Sequence, residues 1–77
     1  MFKLPPKAYQ DRFQAAFKVP YSRFFKGSHA GFDIIAFDDW LGAGDQSVKD
    51  VVTERYGQEG LDALTAIMEL EAQNLAI

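Results

Sequence analysis

His29 is the single imidazole of this chain, and with Ser28 beside it forms the one pair that suggests nucleophilic chemistry. Acyl transfer needs a nucleophile, a base and an orienting group that converge from different elements. Ser28 and His29 are neighbours in the stretch Gly27-Ser-His-Ala-Gly31 and read as a solvated loop. Asp38 and Asp39 could do acid–base work, but adjacent residues do not face each other on a helix, so they read as helix-surface charge. Gly42-Ala-Gly44 has no third glycine at the spacing of a dinucleotide fingerprint, and Asp45 would repel a phosphate there. Nor do Asp38, Asp39 and Asp45 follow the spacing of a calcium-binding loop. The sequence has no cysteine, which removes thiolate ligands and disulfides, so no metal and no cofactor is expected. Catalysis is not the expected activity.

Charge is more informative. Residues 1–27 carry Lys3, Lys7, Arg12, Lys18, Arg23 and Lys26 against Asp11, a balance of +5, whereas residues 28–77 carry ten carboxylates against Lys49 and Arg55, a balance of −8. Two binding functions follow. The basic part interleaves cations with Tyr9, Tyr21, Phe24 and Phe25, which could stack on bases while the cations hold phosphates. The acidic part suits a basic surface on another protein. There Asp38, Asp39, Asp45, Asp50, Glu54, Glu59 and Asp62 are the candidate contacts, with Trp40 and Phe37 as aromatic anchors. Asp50 and Glu54 are like charges one helical turn apart, an arrangement that costs an isolated helix a few tenths of a kcal/mol. From Gln58 onward there is no Lys or Arg, so the two C-terminal helices make a poor helix-turn-helix: four carboxylates would face the phosphates.

The elements that must position these groups are clearest over Ser47–Leu75. Ser47-Val-Lys-Asp50 fits a capping box, and Val48, Val51, Val52 and Tyr56 recur at helical spacing up to Gly57, which suits a left-handed C-terminal position. A second helix starts at Gln58 and Glu59, with Leu61, Leu64, Ile67, Met68 and Leu75 as its buried stripe and Leu70 on the flank. Towards the N-terminus, Pro5-Pro6 opens a helix to about Lys18, with Tyr9, Phe13, Ala16 and Phe17 on one face and Pro20 as its stop. Tyr21–Gly27 fits either a short helical turn or the first strand of a hairpin returning over Phe32–Phe37. The spacing favours a helix over about Phe32–Leu41, because Phe32, Ile35, Ala36 and Trp40 share a face; Ile34, Phe37 and Leu41 form a second apolar edge. The expected fold is one small all-α domain of about four short helices, the alternative being α+β with one hairpin near residues 20–37.

Seventy-seven residues bury only about 60% of the surface the unfolded chain exposes. Seven Phe, three Tyr and one Trp are many aromatics to hide in so short a chain. Phe24, Phe25, Ile34, Phe37 and Leu70 therefore motivate an expectation of a homodimer. The opening residues lack the apolar core of a signal peptide, and no run reaches the roughly 20 apolar residues of a membrane span; a cytoplasmic protein is expected. In size, lack of cysteine and split charge the chain is similar to the inhibitor proteins of phages and mobile elements, a likeness of composition that covers no motif and names no family. It implies a module that occludes a basic surface of a host protein, nucleic-acid-binding surfaces among them. A nucleic-acid-binding accessory protein and a small structural or assembly protein are the alternatives.

Overall fold

The computed structural model describes residues 4–75, and their side chains through residue 73. Its elements are α1 (Lys7–Phe17), a 3-10 turn (Tyr21–Arg23), α2 (Ile34–Leu41) and α3 (Val48–Leu75). Among the described residues there is no strand, and the fold is a small all-α bundle. The helix count differs from four because α3 runs through Gly57, whose φ of 73° and ψ of −166° lie outside the helix. That backbone region is open essentially to glycine alone. A straight helix of 28 residues would measure roughly 42 Å, yet the molecule's longest dimension is 33 Å. The limbs 48–56 and 58–75 therefore turn back on each other, and Val48 lines one cleft together with Leu64 and Met68.

At the start of α1, Pro6 is the cap rather than the first helical residue, its carbonyl accepting from the amides of Tyr9 and Gln10 at 2.9 and 3.2 Å. The helix ends before Pro20 is reached. Lys18 turns left-handed (φ 61°) and donates its N–H to the Gln14 carbonyl at 2.8 Å, so a backbone cap makes the stop. Residues 20–33 combine both expectations: Tyr21–Arg23 is the helical turn, and the hairpin shrinks to one antiparallel bridge between Phe25 and Phe32. The Lys26 amide reaches the Gly31 carbonyl at 2.8 Å and the Asp33 amide reaches the Phe24 carbonyl at 2.7 Å, which closes the Gly27–Gly31 loop.

Eight residues make a marginal helix in isolation, and α2 is held at both ends. Asp33 Oδ1 accepts from the Ala36 amide at 3.0 Å, Gly42 takes the left-handed C-terminal position, and Arg55 Nη1 donates to the Leu41 carbonyl at 2.6 Å. Of the two apolar edges expected, neither is buried throughout. Phe37 and Leu41 point inward, Ala36 and Trp40 are half-buried, and Ile35 is 72% exposed. At α3, Val51 donates to the Ser47 carbonyl at 3.0 Å, but among the described residues no side-chain bond from Ser47 or Asp50 completes the capping box.

Phe13 is the hub of the core, with ring centroids of Phe17, Tyr21, Phe24, Phe32 and Phe37 between 4.7 and 6.1 Å from its own. Val51 and Val52 from one limb of α3, and Ala63, Leu64 and Ile67 from the other, complete it. Val48, Tyr56 and Leu61 pack at its margin. Met68, expected in the stripe, is 40% exposed, Leu70 is half-buried, and the side chain of Leu75 lies outside the described residues. Of the residues behind the dimer expectation, Phe24 and Phe37 are buried, Phe25 and Leu70 are half-buried and Ile34 is exposed.

Candidate protein-binding surface

The seven candidate carboxylates fall into two groups. Asp39 lies in the last turn of α2, Asp45 in the following loop, and Asp50 and Glu54 on the limb 48–56, on the side away from buried Val51 and Val52; all four are exposed. The bond from Arg55 to the Leu41 carbonyl clamps this limb to the end of α2, so the elements that carry the four meet there. Glu59 and Asp62 stand apart on the limb 58–75, towards α1. Asp62 is occupied there, with Arg12 Nη2 at 3.8 Å from Oδ2 and Gln58 Nε2 donating to Oδ1 at 2.7 Å. Glu59 borders a hollow shared with Arg12 and Ala16. Asp38 is half-buried, and its Oδ1 is enclosed without a hydrogen-bond partner.

The aromatic anchors need correction. Phe37 is fully buried and offers no surface, because α2 turns it, and not Ile35, into the core. Trp40 is half-buried, stacked on Tyr56 at 6.3 Å and 18° and set edge-on to Phe24 at 5.7 Å. Its role is to close the aromatic core. The apolar side chain that α2 does present is Ile35, one helical turn before Asp39 on the outward face.

On the basic side, Lys7, Arg12, Lys18, Arg23 and Lys26 are all exposed, while Lys3 lies outside the described residues. The stacking partners are less available. Tyr21 and Phe24 are buried and Phe25 is half-buried, which leaves Tyr9 as the exposed ring. Among the described residues, Arg12–Asp62 is the one ion pair between the basic and acidic parts.

A polar feature absent from the sequence reading joins distant parts of the chain. Glu71 Oε2 accepts from the Phe32 amide at 2.8 Å and lies with Tyr21 on a cleft of about 310 Å³ whose other walls include Pro5, Ile67 and Leu70. Burial, reinforced by the charge of Glu71, raises the Tyr21 phenol above its ordinary range. Thirty-nine residues separate Glu71 from Phe32, and no local pattern announces such a contact. His29 is an exposed loop residue, and among the described residues no three side chains converge to hold a metal ion. Among those residues, too, no helix is long and apolar enough to cross a membrane.

No family model, no curated protein and no solved structure matches this chain.

Proposed function

We propose that the protein is a binding module for another protein, which it engages at a basic surface through Asp39, Asp45, Asp50 and Glu54. An inhibitor that covers a basic, nucleic-acid-binding site of a host protein is the form of this function most consistent with its size and charge. The observation that carries the proposal is the unequal fate of the two candidate surfaces. The rings that nucleic-acid stacking calls for, Tyr21 and Phe24, are in the core, while the four carboxylates are on the surface.

The placement of these charges is also difficult to attribute to stability. Asp39 sits in the last turn of α2, where the helix dipole disfavours an anion, and Glu54 lies one turn from Asp50. Reversing Asp39 and Glu54 to Lys should leave the fold as stable as before, or more stable by about 0.3–1 kcal/mol at each site. Loss of binding in that variant would then not be loss of folding.

The test compares tagged parent, an Asp39→Lys/Asp45→Lys/Glu54→Lys variant and a Lys7→Glu/Lys18→Glu variant. Capture from host extract is followed by measurement of affinity for the purified captured protein, and labelled DNA and RNA are titrated in parallel. The expected result is a protein partner bound by the parent and the basic-side variant but lost by the acidic-side variant, faster association at low salt, and weak nucleic-acid binding throughout. Nucleic-acid binding by the parent that disappears in the basic-side variant, with protein capture unaffected by acidic reversal, would overturn the proposal in favour of the rival surface.

A further inference from the structure

A second feature of the surface is an apolar hollow whose lining includes none of the four carboxylates. The start of α2, the first turn of α3 and the flank of the limb 58–75 enclose an open cleft of about 420 Å³, walled by Ile34, Val48, Leu64 and Ala72. Met68 stands on its edge 40% exposed and Ile34 is 37% exposed, with Ile35 next to it at 72%. Two of the large exposed apolar side chains of this molecule, Ile34 and Met68, therefore line one hollow. Lys49 and Glu69 border the same hollow, and among the described residues they form no ion pair with each other.

We propose that this cleft is a homodimer interface, in which Met68 of each copy enters the cleft of the other and Lys49 of each copy pairs with Glu69 of its partner. A two-fold interface uses the same patch on both sides, so the patch must contain its own complement. This one does so twice. It offers a hollow and a partly exposed methionine to fill one, and a lysine and a glutamate of opposite charge. A basic protein would be met here by Lys49 and by one carboxylate, Glu69, whereas Asp39, Asp45, Asp50 and Glu54 offer it four exposed carboxylates beside Arg55; the two sites suit different partners. Methionine fits the role because its unbranched thioether adapts to an irregular cavity. A standard interface covers roughly 800 Å² per partner, about a sixth of the 4996 Å² surface of this chain. The small cleft accordingly corresponds to a reversible dimer.

The test is sedimentation equilibrium on the full chain from about 1 to 500 µM, the range in which interfaces with few anchors associate, and it requires no other protein. The parent should move from 8.6 kDa towards twice that mass. Lys49→Glu and Glu69→Lys should each weaken association about tenfold, since each reversal enters a symmetric interface twice. The double variant should recover it, because its rim is complementary again. Met68→Asp should abolish the dimer while its helical circular dichroism stays that of the parent, Met68 being a partly exposed residue. A monomer at every concentration would overturn the proposal, as would a dimer whose strength is the same in all four variants. A double variant as weak as its parents would overturn the Lys49–Glu69 pairing.

Discussion

Two glycines in α3 show how a single residue type serves opposite needs. Gly57 has open space around it, so a methyl group there would touch nothing, but its φ of 73° and ψ of −166° are strained for any other residue. Gly60 has ordinary helical geometry and no room: a Cβ would lie 2.5 Å from the Tyr56 Cβ and 3.3 Å from Val52 Cγ1. The first preserves the bend, and the second lets the two limbs approach closely enough for Tyr56 to reach Phe17 at 4.9 Å. Gly57→Ala should cost about 1–3 kcal/mol through the backbone alone. Gly60→Ala should cost a similar amount through displaced packing, more than offsetting the roughly 1 kcal/mol that alanine gains in helix propensity. Urea denaturation with near-ultraviolet circular dichroism separates the two effects. Gly60→Ala should alter the aromatic signal of Tyr56 and Trp40 and Gly57→Ala should leave it nearly unchanged, the reverse pattern contradicting this account. Gly57 was legible in sequence as a helix end; Gly60 was not, because a glycine inside an apolar stripe looks like a weak helix position until its neighbours are known.

At the scale of elements, α2 depends on its caps. Its carboxylate at Asp33 satisfies one first-turn amide, and Arg55 from α3 satisfies a last-turn carbonyl. Asp33→Ala should destabilise the fold by about 0.5–2 kcal/mol, and hydrogen exchange should show the amides of the first turn of α2, Ala36 above all, exchanging faster while those of α1 are unaffected. Equal protection of Ala36 in both proteins would show that the cap contributes nothing. The existence and extent of this helix could be read from its apolar residues, but not its orientation. Eight residues with apolar side chains on two edges leave the buried side to be decided by tertiary packing, and the contact with Phe13, Phe17 and Phe24 selects Phe37. With that choice Ile35 becomes surface and the expected anchor Phe37 disappears from it. The long apolar periods of α1 and α3 carried more information, which is why their inward faces were legible at Phe13, Phe17, Val51, Val52, Leu64 and Ile67, although the exposure of Met68 was not.

For the whole molecule, the basic and acidic parts of the chain meet through rings more than through ion pairs. Arg12–Asp62 is a single exposed pair at 3.8 Å, of a kind that contributes about 0–1 kcal/mol, whereas Phe13 brings rings from α1, the 3-10 turn and α2 into one cluster. The acidic C-terminal limb is joined to this cluster by Glu71, which holds the Phe32 amide and faces Tyr21. That arrangement sets how stability depends on alkaline pH. In the unfolded chain a tyrosine ionises near 10, while in the folded protein burial first, and the Glu71 charge second, keep the Tyr21 phenol protonated to higher pH. A raised folded value means that the contribution of Tyr21 is fully present below about pH 10 and is lost as pH rises from there through the folded value. The urea midpoint of the parent should therefore fall between about pH 9.5 and 12, and Tyr21→Phe should fall less over the same interval because it has no phenol to ionise on unfolding. Glu71→Gln should lie between the two, since burial remains when the charge is removed. The three proteins differ only at Tyr21 and Glu71, so the differences between the curves isolate that pair. Three parallel curves would show that the phenol is as free to ionise in the folded chain as in the unfolded one, and that Glu71 serves only the Phe32 amide.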